Sequence, residues 1–233
     1  MTPVTARRRA AAAVLLATTL LATAACSGDS RSDVLPTDRL ATAKELLDAT
    51  SGVHVVLSTP RLPRGVTGLL RAEGDGTHAP AFEGKIKVMA SGVAADADVV
   101  AVDGTVYAWL PFTTGFVEVD PADYGAPDPA ELMTADRGLS SLLAAAEDVV
   151  PGKQRRDGKR VLDSYHATLP GDAVARVIPS ATAEADFDAS FTVDDQDRLA
   201  EAVLTGPFYG DAEDVTYTIA FDDYGSSPTI TAP

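Results

Sequence analysis

The stretch FEGKIKVMASGVAADADVVAVDGTVYAWL, residues 82–110, decides the fold because its apolar residues recur at every second position. This period predicts β-strands over 82–90, 93–102 and 105–110. The pair Asp103-Gly104 between the last two strands tolerates the positive φ angles of a tight hairpin turn. An antiparallel meander is therefore expected here.

The two faces of these strands differ in polarity. In the first strand the apolar Ile86 and Val88 share one face, and Lys85 and Lys87 share the other. The second strand is apolar on both faces over 99–102. Because a half-exposed strand alternates, we expect other parts of the chain to cover both sides at that point.

The remaining chain extends this pattern on both sides. Gly74-Asp75-Gly76 is a second hairpin signal, residues 120–135 read as a connection, and 154–158 read as a basic turn. Helical spacing predicts helices from the cap at Thr37 or Asp38 to Thr50, over 137–150 and over 172–178. Further strands are predicted at 53–58, 66–74, 116–119, 160–169, 185–193, 199–204 and 215–221.

The order helix, strands, helices, strands is typical of an α+β protein. It predicts a large antiparallel sheet with helices on one side. About nine or ten strands in one sheet must curl. We therefore expect a strongly curved sheet with helices on its concave face, an arrangement that encloses space.

The N-terminus predicts export and lipid attachment. Arg7-Arg8-Arg9 precede the uncharged run 10–25, which is too short to span a bilayer as a helix and is typical of a signal peptide. The small residues before Cys26 resemble a bacterial lipobox, although Thr23 stands where leucine is usual. This resemblance implies a lipoprotein signal peptide at 1–25 and a lipidated Cys26. A plain signal peptide with an incidental thiol is the alternative.

Composition limits the class of protein. Residues 26–233 contain 16 basic and 34 acidic residues, a net charge of −18, which disfavours nucleic acid and an anionic membrane surface as the main partner. Cys26 is the only cysteine, so no disulfide supports the fold. We expect a flexible tether at 26–37 and a single domain at 38–233.

The sequence contains no recognisable catalytic constellation. It has no glycine–any–serine–any–glycine elbow, its three histidines are far apart, and no glycine-rich phosphate loop occurs. The acidic clusters Asp96/Asp98 and Asp194/Asp195/Asp197 are interpreted as solvated segments, since the second lacks the glycine and terminal glutamate of a calcium loop. We predict that the protein is not an enzyme and has no metal or cofactor.

Taken together, the chain resembles the LprG/LppX family of actinobacterial lipoproteins over nearly its whole mature length. The resemblance depends on the lipobox cysteine, the polar tether, residues 96–108 with the motif Asp-Gly-x-x-Tyr-Ala, Asp128-Pro129, residues 137–143 and residues 199–202. It implies a half-barrel with an apolar cavity between the sheet and the helices. It also implies binding and transfer of acylated lipids or glycolipids across the cell envelope, with a major-facilitator exporter as partner for some members.

The residues agree with such a cavity, because small side chains are frequent at strand positions 84, 90, 95, 97 and 101. A high-GC genome would also produce these alanines, and a filled core uses the same residue types. From the face pattern alone, the predicted lining residues are Ile86, Val88, Val99, Ala101, Tyr107, Trp109, Leu139, Leu142, Leu143, Val174 and Ile178. Tyr107 and Trp109 also fit a sugar-stacking platform or ordinary packing in a sheet.

We thus expect a monomer, tethered to the extracytoplasmic face of the cell membrane, that binds di- or triacylated lipid or glycolipid and no nucleic acid. The alternative is an envelope interaction lipoprotein with a filled core, which binds a transporter or cell-wall component through its acidic surface. A carbohydrate- or lipid-processing enzyme is a third option that would need paired carboxylates in a cleft.

Overall fold

A computed structural model describes residues 34–124 and 126–233, and the part from Val34 to Pro233 forms one compact unit. It contains three α-helices: α1 at Pro36–Ala49, α2 at Ser141–Ala144 and α3 at Gly171–Val177. The strands are β1 Gly52–Ser58, β2 Gly68–Thr77, β3 Ala81–Ala90, β4 Val93–Val102, β5 Thr105–Trp109, β6 Val117–Val119, β7 Glu147–Asp157, β8 Arg160–Pro170, β9 Asp186–Val193, β10 Leu199–Gly206 and β11 Val215–Asp222.

All eleven strands belong to one open, curved antiparallel sheet in the order β6-β5-β4-β3-β2-β1-β11-β10-β9-β8-β7. The sheet consists of two meanders, β1–β6 and β7–β11, that join where β1 pairs with β11. The edge strands β6 and β7 are therefore consecutive in sequence. Their connection, residues 120–146, must traverse one face of the sheet to join its two edges, and we call it the crossover.

The first helix packs on the concave face over the β7–β11 half. It begins at Pro36, whose constrained φ suits the first turn of a helix. Its buried residues include Leu40, Ala43 and Leu47, which join one apolar core with β1, β8–β11, α2 and α3. Arg39 is also buried, with Nη2 3.1 Å from Oδ1 of Asp197 in the turn between β9 and β10.

The predicted helix over 137–150 is wrong. Only α2 is helical there, and β7 already begins at Glu147. The apolar character of this segment is nevertheless used for packing, because the side chains of Leu139, Leu142 and Leu143 are all buried in the core. The sequence does not mark β7 as a strand, because nearly all of it is exposed at the sheet edge and no apolar face shows the period of two.

The predicted turn at Gly74-Asp75-Gly76 is also wrong, since these residues lie inside β2 and the turn follows at 78–80. Gly74 pairs with Gly84 across the β2–β3 ladder. A Cβ on Gly74 would lie 2.3 Å from the carbonyl oxygen of Glu83 and 2.7 Å from the ring of Phe82. These glycines serve close packing on the sheet surface, as glycine inside a strand often does.

Candidate binding cavity

An apolar cavity of about 170 Å³ lies between the sheet and the crossover. Strands β1–β5 provide one wall, with Val55, Leu57, Ala72, Phe82, Ile86, Val88, Ala97, Val99, Val106 and Ala108. The crossover provides the opposite wall, with Pro121, Tyr124, Ala126, Pro127, Pro129, Leu132 and Leu139. None of the described residues that line this cavity carries a charge.

The position of the cavity follows from side-chain size along the sheet. In the β7–β11 half, the concave face carries Phe187, Phe208 and Tyr217, whose rings pack edge to face with centroids 4.9 Å and 5.0 Å apart. In the β2–β5 half, the same face carries Ala97 and Ala108. The rings of Phe187 and Phe208 fill the first half. The second half contributes one ring to the lining, that of Phe82, among aliphatic side chains and the small Ala97 and Ala108.

Local hydrogen bonds shape the crossover wall. The backbone N–H of Leu139 donates to the carbonyl of Leu132 at 2.9 Å, and Gly138 N–H donates to Thr134 at 2.8 Å. The Asp128 carboxylate accepts a bond from the N–H of Ala130 at 2.9 Å. These bonds satisfy backbone polar groups beside an apolar space, where unpaired groups would be costly. They also bring Leu132 and Leu139 together at the cavity.

The exposure of the inner face of β4 indicates that the cavity opens towards the turn between β3 and β4. On the inner face of β4, exposure rises from 0% at Ala101 through 2% at Val99 and 5% at Ala97 to 67% at Val93. Val93 belongs to the same face because side chains alternate along a strand. We call this opening the mouth.

Two tyrosines place hydroxyl groups in the cavity wall. Tyr217 donates to the carbonyl of Leu69 at 2.8 Å, so Tyr209 is the donor in the 2.7 Å bond between the two hydroxyls. Burial raises the pKa of Tyr217, so the phenol stays neutral at physiological pH. The Tyr209 oxygen retains acceptor capacity, and Ser180 adds another hydroxyl to the lining.

The structure places some of the predicted lining residues at the cavity and others elsewhere. Ile86, Val88, Val99, Leu139 and Ile178 line it. Ala101 is not part of the lining and is fully buried in a small cluster with Phe82 and Val106, which do line the cavity. Leu142, Leu143 and Val174 fill the main core instead, because α2 and α3 pack over the larger half of the sheet.

Tyr107 and Trp109 are corrected: they lie on the outer face, since Val106 and Ala108 of the same strand line the cavity. Trp109 packs against Phe116 with ring centroids 5.8 Å apart and is 47% exposed. The sequence predicts the strand period of β5, but it does not predict which face of the strand lines the cavity. Apolar residues occur on both faces of β4 and β5, so the pattern offered no signal for that choice.

Sequence reasoning missed the tyrosine pair and the crossover residues other than Leu139. The crossover has no periodic pattern, so nothing local indicates which of its prolines face the sheet. The sequence did contain a signal for the position of Tyr217. The alternation along β11 places Val215, Tyr217, Ile219 and Phe221 on one apolar face, and all four are buried in the structure.

The acidic clusters are paired with basic groups. Lys85 and Lys87 on β3 form ion pairs with Asp98 and Asp96 on the outer face of β4. Asp194 accepts hydrogen bonds from Arg198. Across residues 34–124 and 126–233, no three His, Cys, Asp or Glu side chains are grouped to hold a metal ion.

Among the histidines, His54 lies on β1 with Nδ1 3.0 Å from Oδ1 of Asp75 on the neighbouring strand. This is a cross-strand pair on the outer face, far from the apolar lining. In the part of the chain that the structure describes, no helix is long and apolar enough to cross a membrane. Cys26, the predicted signal peptide at 1–25 and most of the predicted tether lie outside the described residues.

Two solved structures share this architecture. LprF from Mycobacterium bovis is similar with a TM-score of 0.69 and 17% identity, and the match covers 85% of this chain and 96% of LprF. Lipoprotein LppX from Mycobacterium tuberculosis is similar with a TM-score of 0.61 and 12% identity, covering 84% of this chain and 98% of LppX. At these identities the likeness establishes the curved-sheet fold.

No curated protein sequence matches the chain. A family model does match, over residues 36–230, which is almost the whole of the described part. This chain therefore belongs to the LppX_LprAFG lipoprotein family, whose members are lipid-binding lipoproteins of the cell envelope.

Proposed function

We propose that this protein is a membrane-anchored lipoprotein that binds acylated lipids or glycolipids in its apolar cavity and transfers them across the cell envelope. The observation that carries the proposal is the uncharged cavity between β1–β5 and the crossover. An acyl chain needs apolar surface without a specific polar grip, and this lining offers that surface. The alternative, an interaction protein with a filled core, does not account for an open apolar cavity.

The energetics explain why a carrier is needed. Each buried methylene contributes about 0.8 kcal/mol, so a chain of about 16 carbons resists leaving a bilayer by about 12 kcal/mol. A cavity that receives the chain offsets most of this cost. The headgroup would then remain near the mouth, where Tyr209 and Ser180 offer hydroxyl groups.

The cavity volume adds a condition. At about 170 Å³ the space resembles engineered apolar cavities that hold one benzene molecule. A lipid with two or three chains is much larger, so loading requires the crossover and the sheet to separate. The crossover suits this movement, because its contacts with β2–β5 are apolar and non-directional.

The test is to fill the cavity from the sheet side. Ala97 on β4 lines the cavity and is 5% exposed, so Ala97→Trp places a large ring in the path of the acyl chain. The matched control is Ala94→Trp, an exposed position on the opposite face of the same strand. The measurement is lipid content per protein, by native mass spectrometry and solvent extraction after purification from an actinobacterial host.

We expect lipid content to fall at least five-fold in Ala97→Trp and to be unchanged in Ala94→Trp. Circular dichroism distinguishes lost loading from lost folding. Full loading of a folded Ala97→Trp variant would contradict the cavity as the binding site. Absence of lipid from the wild-type protein, even after candidate lipids are added back, would favour the interaction-protein alternative.

A further inference from the structure

The loops around the mouth form a distinct surface. Strands β1, β3 and β5 run in the same direction, because alternate strands of an antiparallel sheet are parallel to each other. The segments that follow them, residues 59–67, 91–92 and 110–116, therefore lie at one end of the sheet. The cavity opens at that end, and we call these three segments the mouth loops.

Apolar side chains project from the mouth loops and their flanks. Phe112 is 95% exposed and Val93 is 67% exposed. Beside them, Trp109 and Phe116 pack together on the outer face of the β5–β6 hairpin. Aromatic side chains with this exposure are typical of surfaces that contact a partner or a membrane interface.

The loop 110–116 is built to hold Phe112 outwards. The Thr113 hydroxyl donates to the carbonyl of Leu110 at 3.0 Å and accepts from its N–H at 3.1 Å. The backbone N–H of Thr113 donates to the same carbonyl at 3.1 Å. Satisfied backbone groups lower the cost of moving this loop out of water into the headgroup region.

The distribution of charged residues around the mouth loops favours an anionic surface as the partner. The chain has a net charge of −15, yet the three mouth loops contain no Asp or Glu, and residues 59–67 contain Arg61 and Arg64. The neighbouring connection 207–214 is acidic, and its Glu213 lies 3.5 Å from Arg61. Asp96 and Asp98, which lie beside loop 110–116, form ion pairs with Lys87 and Lys85. An anionic surface therefore meets less repulsion at the mouth loops than at the connection 207–214.

We propose that the mouth loops dock on the surface of a lipid bilayer that contains anionic lipid, with Phe112 inserted among the acyl chains and Trp109 at the headgroup level. Docking aligns the mouth with the bilayer, so an acyl chain enters the cavity without crossing water. Its use in lipid transfer rests on the proposed function, but docking itself is a separate measurement.

The single tryptophan provides the readout, because Trp109 is the only one in the chain. The mature full-length protein is reconstituted with vesicles of phosphatidylcholine and phosphatidylglycerol that contain a phospholipid brominated in the upper part of its chain. Bromine quenches tryptophan emission at short range. We expect a blue shift and clear quenching for the wild-type protein.

Phe112→Ser is expected to reduce this quenching at least three-fold, and its high exposure means that the fold does not depend on the ring. The matched control is Val150→Ser, which removes an exposed apolar side chain from the edge strand β7 and should leave quenching unchanged. Arg64→Glu should reduce quenching in vesicles with phosphatidylglycerol more than in vesicles of phosphatidylcholine alone.

Absence of quenching in the wild-type protein, or equal quenching in Phe112→Ser, would overturn the docking proposal and direct attention to a protein partner for this surface. Lipid content is measured on the same samples by mass spectrometry. Normal quenching in a protein without bound lipid would support docking while contradicting the carrier function, so the two failures are distinguishable.

Discussion

At the residue scale, Asp194 shows how one buried carboxylate organises a turn. It follows β9 and accepts hydrogen bonds from the backbone N–H groups of Gln196 and Arg198, at 2.9 Å and 3.0 Å, and from the Arg198 guanidinium at 2.8 Å and 3.0 Å. Burial acts to raise the pKa of Asp194, but the bonds from Arg198 and Gln196 outweigh it, so the pKa lies below its ordinary value.

A lowered pKa in the folded state has a definite pH consequence. The group contributes stability above its unfolded pKa of about 3.9, and this contribution is lost as pH falls through the folded pKa. Arg198 also lies over the ring of Tyr224, with 5.3 Å between the guanidinium carbon and the ring centroid. The turn between β9 and β10 is therefore held by ionised groups.

We predict that Arg198→Ala destabilises the protein by about 1–3 kcal/mol at pH 7, because it leaves a buried carboxylate underpaired. The difference from wild type should shrink as pH falls below about 4, because the unfolded chain then gains a proton at Asp194 that the folded wild type resists. Urea unfolding at pH 7 and pH 3.5 measures both values. Arg176→Ala is the control, since its ion pair with Asp172 is mostly exposed and should matter little. A pH-independent difference would contradict this account.

At the element scale, the crossover depends on one glycine that permits close backbone contact. A Cβ on Gly138 would lie 2.3 Å from the carbonyl oxygen of Leu132 and 2.4 Å from that of Thr134. These carbonyls accept the bonds that place Leu132 and Leu139 at the cavity. The crossover wall therefore tolerates no side chain at this position.

Gly138→Ala is expected to destabilise the protein by about 1–3 kcal/mol through overpacking and to lower lipid content by distorting the crossover wall. Gly115→Ala is the matched control, because nothing lies within 4 Å of a Cβ there. Chemical denaturation and extracted lipid per protein are the two measurements. Wild-type values of both for Gly138→Ala would show that the crossover wall adapts without cost.

Elements with a regular apolar pattern were predictable. The predicted strand over 93–102 coincides with β4, and the helix predicted over 172–178 is shifted by one residue from α3. The two wrong predictions, a helix where β7 begins and a turn at Gly74-Asp75-Gly76, share a cause. In both segments the strand conformation is imposed by pairing with neighbouring strands. Propensity describes local preference, and pairing across the sheet overrides it.

At the scale of the whole molecule, two meanders joined through β1 and β11 place both sheet edges at the ends of the crossover. This topology sends one long connection across the concave face. Over the β7–β11 half of the sheet, this face is covered by the helices and a filled core. Over β1–β5 it is covered by the crossover, which leaves a cavity. Binding capacity is therefore a property of the arrangement and of no single motif.

The predicted anchor also belongs to this scale, because it determines where the cavity is held. Cys26→Ala is expected to leave the precursor uncleaved or to release the mature protein from membranes. Membrane fractionation and the mass of the N-terminal peptide, which should carry diacylglycerol in the wild type, test this. A cleaved variant that withstands a high-salt wash of the membranes would contradict the lipobox interpretation.

The sequence by itself determined the antiparallel sheet and the aliphatic character of the interior, because these depend on local period and composition. The export signal with its lipid anchor remains a prediction from the same kind of local pattern. Only the tertiary structure decided which face of β5 lines the cavity and that residues 120–139 form its other wall. Val106 and Tyr107 are both compatible with burial, so the choice between them depends on what packs above each face. That packing brings together residues far apart in sequence, and no local pattern encodes it.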